Sequence, residues 1–258
     1  MDRVGSLERL VVALSYDPVE VLASFADEQH ITYPLLSDVG SGVIRRLGLE
    51  NELVEAQNAH FGRPTKDHHR GLPHPGVFHL DADGVVTDKH FEENYRLRPS
   101  SAVLFADDVD DAEAEVIERA DVDGVGVEAR MLSATYHPNQ YQRLTVRLAI
   151  PADRHVYVEP TPDGFTGLGV QLSGPASLVA DAVQLPAGAP HRVEGLDEEF
   201  AVISGFHELT VPFLIAEDDG DVELTVEVPL QSCTDTVCFP PTTAELTVVL
   251  HSGGVLRP

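Results

Sequence analysis

Every second residue is apolar in the stretch Val222-Glu223-Leu224-Thr225-Val226-Glu227-Val228. Successive side chains of a β-strand point to opposite faces, so a period of two predicts a strand with one buried face. Residues 144–150 and 209–215 repeat the alternation, and turns rich in Pro, Gly and Asp separate such runs. Without a long helical segment, this pattern predicts an all-β, immunoglobulin-like sandwich over residues 128–258.

The residues before the sandwich have a different pattern, in which strand and helix signals alternate. A continuous apolar run at residues 10–14 predicts a strand buried on both faces, and Asp17 and Pro18 after it are typical of a helix start. The tetrad at residues 81–84, Asp-Ala-Asp-Gly, lies between two short β-like runs and predicts a hairpin. We expect an α/β domain over residues 1–106 and an acidic linker over residues 107–127.

The chain is strongly acidic, with 43 Asp and Glu residues against 17 Lys and Arg and a formal net charge of −26. Such a surface repels nucleic-acid phosphates and anionic lipids, so neither is expected as a partner. The early apolar run is too short for a signal-peptide core or a membrane span. As written, the sequence indicates an unexported, cytoplasmic protein, whereas a truncated start would leave a periplasmic or other extracytoplasmic location open.

The two cysteines of the chain, Cys233 and Cys238, lie in residues 231–241, Gln-Ser-Cys-Thr-Asp-Thr-Val-Cys-Phe-Pro-Pro. This stretch joins two predicted strands, where cysteines come within the roughly 4.4–6.8 Å Cα separation of a disulfide. Pro240 and Pro241 would fix the exit from the turn. A loop this short contributes only about 2 kcal/mol in the chain-entropy model, so a redox-active pair is favoured over a structural staple.

The α/β segment resembles the redoxin family of peroxiredoxin-like AhpC/TSA proteins over about residues 5–105. The resemblance rests on VALSYD at residues 12–17, YPLLSD at 33–38, GLPHPGVF at 71–78 and LDADG at 80–84. It implies a thioredoxin-like fold in which Pro75 corresponds to the cis proline beside the active site. The family's reactive cysteine follows an earlier strand, but this sequence has no cysteine before Cys233. We therefore expect either a start upstream or a degenerate scaffold that lacks the first strand and active-site helix.

The cysteine stretch resembles the N-terminal domain of the thiol:disulfide interchange protein DsbD, which carries the pattern Cys-x(4 or 5)-Cys-(aromatic or Leu)-Pro-Pro. Cys233, Cys238, Phe239, Pro240 and Pro241 match this pattern position by position. The resemblance implies that the pair shuttles electrons between a thioredoxin-like partner and substrate oxidoreductases, beneath an aromatic cap loop.

Two further residues are assigned supporting roles. Phe200 is the candidate for the aromatic cap by the same resemblance, since it follows two glutamates in a short polar segment. Asp235, between the cysteines, is expected to raise the pKa of both thiols by charge repulsion, which favours reaction with a docked partner.

The histidines between residues 60 and 79 match no metal-ligand spacing, so neither a metal nor a cofactor is expected.

The sequence thus predicts a thiol-disulfide oxidoreductase, or electron relay, that works through Cys233 and Cys238 with a thioredoxin-like or other exchange protein as its partner. Two alternatives remain. One is an AhpC/TSA-type thiol peroxidase, an antioxidant enzyme whose peroxidatic cysteine lies upstream of this start. The other is a non-catalytic interaction scaffold with a structural disulfide.

Overall fold

A computed structural model describes residues 10–60, 62–91, 97–105, 114–192, 199–234 and 236–255. The chain divides into two compact units, Met1–Arg96 and Leu97–Pro258. The first is α/β and the second is an all-β sandwich, so both predicted fold classes are confirmed. No helix in the described part of the chain is long and apolar enough to cross a membrane.

The first unit alternates short strands with short helices. Its elements are β1 (Ala13–Ser15), α1 (Val19–Glu28), β2 (Leu35–Ser37), α2 (Gly42–Arg46), α3 (Val54–His60), a 3-10 helix (Asp67–His69), β3 (Gly76–Leu80) and β4 (Val86–Phe91). Strands β1 and β2 pair in parallel. Strands β3 and β4 form the antiparallel hairpin that the turn tetrad predicts.

Two expectations for this unit are wrong. The run that leads into β1 is not buried on both faces, since Leu10 and Val12 are 81% and 44% exposed. Among the described residues β1 pairs with β2 alone, and a two-stranded sheet covers little apolar surface.

The second wrong expectation concerns the peptide bond before Pro75, which is not cis. The cis bond in the described residues joins Glu159 to Pro160. Most X-Pro bonds are trans, and the local sequence around Pro75 does not override that preference.

The second unit consists almost entirely of strands. Its elements are β5 (Arg98–Pro99), α4 (Ser101–Leu104), β6 (Val116–Val122), β7 (Val125–Met131), β8 (Thr135–Tyr136), β9 (Gln140–Ile150), β10 (His155–Val158), β11 (Gln171–Ser173), β12 (Leu178–Ala180), β13 (Ala189–Arg192), β14 (Glu199–Ile203), β15 (Gly205–Ile215), β16 (Val222–Leu230), β17 (Ser232–Cys233) and β18 (Thr242–Ser252). Three sheets have the orders β12-β15-β9-β7-β6, β11-β16-β18-β8 and β13-β14-β10-β17, and β5 pairs with β9.

Strands occupy part of the segment that the sequence marks as a linker. β6 and the start of β7 lie within residues 107–127 and pair with each other in the first of these sheets. β6 is the edge strand of that sheet, and it leaves Glu118 and Asp121 exposed while Val116 and Val122 pack against the core. By charge alone, an acidic edge strand therefore cannot be distinguished from an acidic linker.

The core of the sandwich follows the alternation that predicted it. One cluster of buried side chains contains the apolar positions of all three predicted runs, which are Leu144, Val146, Leu148, Ile150, Leu209, Val211, Phe213, Ile215, Val222, Leu224, Val226 and Val228. The long strands β9, β15, β16 and β18 provide most of this surface. They also form the frame from which the short strand β17 continues after β16 into the third sheet.

Adjacent valines on β18 test this core directly. Val248 is fully buried and Val249 is 45% exposed. We expect Val248→Ala to lower the free energy of unfolding by about 2 kcal/mol, because two methyl groups lose their burial. Val249→Ala, the matched control, should change it by less than about 0.5 kcal/mol. Urea titration followed by circular dichroism measures both values, and equal losses would contradict the assigned strand orientation.

Candidate functional site around the Cys233–Cys238 disulfide

Both cysteines of the chain are joined in one disulfide, and their Cα atoms are 4.1 Å apart. This separation is slightly below the roughly 4.4–6.8 Å expected from sequence. Cys233 ends β17 at the edge of the third sheet, where it lies opposite His155 of β10. Cys238 returns after a short turn and forms an isolated antiparallel bridge with Cys233.

Backbone hydrogen bonds close the turn independently of the disulfide. The Thr234 amide donates to the Val237 carbonyl over 2.8 Å, and the Phe239 amide donates to the Ser232 carbonyl over 3.0 Å. The Val237 amide also donates to Thr234 Oγ1 over 3.0 Å. None of these bonds is made through the sulfur atoms.

The side chain of Gln231 ties this turn to the rest of the sandwich. It is 6% exposed. Its Oε1 accepts from the Thr166 amide and its Nε2 donates to the Phe239 carbonyl, each over 3.0 Å. A buried amide with both ends bonded fixes the backbone that it joins. The entry and the exit of the cysteine turn are therefore anchored at one residue.

The two cysteines differ sharply in exposure. Cys233 is fully buried, whereas Cys238 is exposed, as are its neighbours Val237 and Pro240. Cys238 is therefore the cysteine of the pair that lies at the surface, while the sulfur of Cys233 faces the protein interior.

Aromatic rings form the inner wall of the site. Tyr157 and Phe200 are buried and stack at a centroid distance of 4.9 Å, with an interplanar angle of 29°. Phe165 contacts both rings edge-on, at 5.3 Å from Tyr157 and 4.8 Å from Phe200. Together with Cys233 these side chains make a small apolar cluster, separate from the main core. The wall keeps water away from the inner sulfur.

The Tyr157 hydroxyl is the polar group that touches the disulfide. It lies 3.2 Å from the Sγ atom of Cys238 and 3.3 Å from that of Cys233. Burial raises the pKa of Tyr157, so its phenol is protonated at neutral pH. Disulfide sulfurs carry no proton, and the hydroxyl is therefore the donor in these contacts. It is placed to stabilise negative charge on whichever sulfur leaves.

A cation lies beside the outer side of the turn. The Arg154 guanidinium is centred 4.5 Å from the Phe239 ring centroid. It also donates to Ser232 Oγ over 3.3 Å and to the Asp123 carbonyl. This cation–π contact and the two hydrogen bonds orient Phe239 directly after Cys238. They place a positive charge near the turn in an otherwise acidic protein.

The structure brings together most of the residues that the sequence singles out. Phe200 packs in the cluster around Cys233, and Phe239 follows Cys238 with Pro240 and Pro241 exposed at the exit of the turn. The role of Phe200 as a cap stays a prediction. Pro75 lies in the first unit, directly before β3.

Two sequence predictions concern Asp235 and metal binding. Asp235 lies outside the described residues, so its effect on the thiols also stays a prediction. Across the described residues, no three His, Cys, Asp or Glu side chains are grouped in a way that could hold a metal ion.

Sequence reasoning missed Tyr157, Phe165, Arg154 and Gln231. The signal for Tyr157 is weak, because the four-residue strand His-Val-Tyr-Val at 155–158 is too short to show a period. Arg154 and Gln231 make their contacts with residues distant in sequence. Only the strand pairing of β10 with β17 reveals that Tyr157 lies beside the cysteines.

The comparisons with known families match both halves of the chain. Residues 126–250 match the family described as thiol:disulfide interchange protein DsbD, N-terminal. Residues 2–89 match the AhpC/TSA family. Both resemblances drawn from the sequence are confirmed, and both point to thiol-disulfide redox chemistry. No curated protein matches the chain.

Several solved structures are similar to the chain. The N-terminal periplasmic domain of ScsB from Proteus mirabilis has 10% identity and a TM-score of 0.35, over 50% of this chain and 47% of that one. The reduced N-terminal domain of DsbD from Neisseria meningitidis has 18% identity and a TM-score of 0.29, over 59% and 95%. The complex of the DsbD and PilB N-terminal domains from Neisseria meningitidis has 18% identity and a TM-score of 0.30, over 56% and 93%. The chain thus spans about half the length of the ScsB domain.

Replacing Tyr157 with phenylalanine tests its hydroxyl. We expect Tyr157→Phe to keep the stacked rings and to slow reduction of the disulfide by dithiothreitol about three- to tenfold, because one hydrogen bond to the leaving sulfur is lost. Tyr136→Phe is the matched control, since Tyr136 is equally buried and its hydroxyl bonds to the Gly220 carbonyl instead. Acid quenching and thiol labelling give the rates. Equal rates in the two variants would contradict a role for the Tyr157 hydroxyl.

Proposed function

We propose that this chain, in which a segment matching the AhpC/TSA family precedes a domain matching the DsbD N-terminal family, is a thiol-disulfide exchange protein. It relays electrons between a thioredoxin-like dithiol and a second disulfide through Cys233 and Cys238. The observation that carries the proposal is the unequal exposure of the two cysteines, one open to a partner and one buried against a proton donor.

The accepting half of the relay begins at the exposed sulfur. A partner thiolate attacks Cys238 Sγ, the Cys233–Cys238 bond breaks, and its electron pair moves to Cys233 Sγ. The partner is now joined to Cys238 in a mixed disulfide. The Tyr157 hydroxyl, 3.3 Å from Cys233 Sγ, donates a hydrogen bond to the new thiolate.

The second partner thiol completes this half. It attacks the partner's own sulfur in the mixed disulfide, which releases Cys238 as a thiolate and the partner as a disulfide. The chain now holds both electrons as a dithiol. In the delivering half, Cys238 attacks a substrate disulfide and Cys233 resolves the mixed disulfide, so the same two sulfurs return to their joined form.

The turn is suited to that resolving step. The backbone bonds from Thr234 to Val237 and from Phe239 to Ser232 do not depend on the disulfide. After reduction they keep Cys233 close to Cys238, which favours attack within the molecule over release of a trapped partner. A bridge placed mainly for stability would span a longer loop, since a loop of this size contributes only about 2 kcal/mol.

The partner is proposed from the shape and charge of the approach to Cys238. The exposed sulfur is flanked by Val237 and Pro240, both exposed, and therefore offers a small apolar contact. A partner must present an accessible dithiol on a surface that is not itself strongly acidic, because the chain carries a net charge of −26. Thioredoxin-like proteins meet the first condition. The first unit has no cysteine, so every redox step in this proposal uses the pair in the sandwich.

Single-cysteine variants test the proposed order of attack. Cys233→Ser leaves Cys238 alone, and Cys238→Ser leaves Cys233 alone as its matched control. Each reduced variant is mixed with a thioredoxin whose resolving cysteine is serine and whose other cysteine carries a thionitrobenzoate group. We expect Cys233→Ser to form the mixed disulfide at least about tenfold faster, because its remaining sulfur is accessible. Release of thionitrobenzoate and mass spectrometry report the product.

Three results would count against the proposal. Equal rates would mean that exposure does not decide which sulfur reacts, and a faster Cys238→Ser variant would reverse the assignment. Failure of both variants to form a mixed disulfide, with thermal unfolding unchanged, would indicate that the pair does not exchange with this class of partner.

A further inference from the structure

Two histidines share one sheet face with the buried cysteine. His155 of β10 lies directly opposite Cys233 of β17, and His191 of β13 lies directly opposite Phe200 of β14. Directly opposite residues of antiparallel strands point to the same face, as do residues two apart along one strand. Through the pairing of Tyr157 with Val202, the register places His155, Tyr157, Phe200, His191 and Cys233 on one face.

The side chains on this face form a continuous row. The His155 and His191 rings are 4.4 Å apart between centroids, and the His155 and Tyr157 rings are 5.7 Å apart. Tyr157 in turn contacts the Cys233 sulfur. His155 is 7% exposed, whereas His191 is only partly buried. The row therefore leads from a position that solvent reaches to the sulfur that solvent does not reach.

When the disulfide opens, the negative charge on the buried sulfur of Cys233 needs stabilisation by nearby side chains. Attack on Cys238 moves an electron pair to Cys233 Sγ, and a thiolate without water or a counter-charge is costly in an apolar cluster. Tyr157 supplies one neutral hydrogen bond. Histidine is the side chain whose charge ordinarily changes between pH 5 and 8, so a proton on this pair supplies positive charge beside the developing thiolate.

We propose that a proton shared by His155 and His191 makes opening of the disulfide faster below neutral pH than it would be with uncharged side chains at these positions. The inference rests on the proposed exchange function and adds a regulation by pH to the same site. The two histidines are positioning residues, because they act on the leaving sulfur through its surroundings and do not contact the partner. No new bond is made by them: the partner thiolate supplies the electron pair and Cys233 receives it.

Other charged or titratable groups surround His155. They are Asp153 and Arg154 in the turn before β10, Tyr157 on the same strand, Cys233 on β17, and His191 and Arg192 on β13. Arg154 is engaged by Ser232 and by the Phe239 ring on the other side of the turn. Arginine and aspartate side chains do not ordinarily change charge between pH 5.5 and 8.5. Among the residue types on this face, histidine is the one whose charge ordinarily changes in that range.

Reduction by dithiothreitol at several pH values tests the inference. The ratio of the wild-type rate constant to that of His155→Gln removes the pH dependence of dithiothreitol itself. We expect a ratio of about three to ten at pH 5.5, which falls to within about twofold of one at pH 8.5 as the histidine charge disappears. Because His155 is buried, His191→Gln provides a second variant at a partly exposed position, with the same expected trend. His251→Gln, at an exposed histidine on β18, is the control and should give a ratio near one throughout.

The outcomes separate this inference from the function on which it rests. A ratio that stays constant from pH 5.5 to 8.5 in both variants would overturn it, since loss of packing alone slows or speeds the reaction equally at every pH. A wild-type disulfide that dithiothreitol does not reduce at pH 8.5 would contradict the exchange function itself, and the inference with it. Acid quenching and mass spectrometry of labelled thiols give every rate.

Discussion

The constraint on which the site depends is a disulfide that joins one fully buried cysteine to one exposed cysteine. Cys233 is held in place by the pairing of β17 with β10, and Tyr157 and Phe200 exclude water behind it. Cys238 is carried outward by a turn of four intervening residues. In the proposed exchange, attack therefore begins at Cys238 and the negative charge develops on Cys233. The phenol of Tyr157 and the histidines beyond it lie where that charge develops.

Rigidity of the turn gives the arrangement its second property. Gln231 bonds to Thr166 and to Phe239, and Arg154 lies over the Phe239 ring. None of these contacts is made through the sulfur atoms of the disulfide. In the proposed relay this keeps Cys233 near Cys238 for the resolving step, a condition that a structural bridge does not need. The long strands of the sandwich, whose alternating apolar residues make the main core, provide the frame that keeps this short turn fixed.

Local patterns predicted the sandwich and the cysteine turn because both depend on neighbours in sequence. Alternation in residues 222–228 determines which side chains enter the core, and the Cys-Phe-Pro-Pro run marks the cysteine turn. Such patterns could not identify Tyr157 and His155, since a four-residue strand shows no period. Only the sheet register places these residues beside Cys233. The first unit was predicted less well. Its helices and hairpin follow local signals, but burial of β1 depends on the strands that pair with it.

The equilibrium reduction potential of the Cys233–Cys238 pair tests the central claim most directly. Equilibration in glutathione or dithiothreitol buffers, followed by thiol labelling and mass spectrometry, gives the ratio of dithiol to disulfide. The account predicts a potential of roughly −120 to −270 mV, the range of proteins that exchange disulfides with partners. A potential below about −300 mV would contradict it, because a pair held so firmly in the oxidised form is a structural bridge.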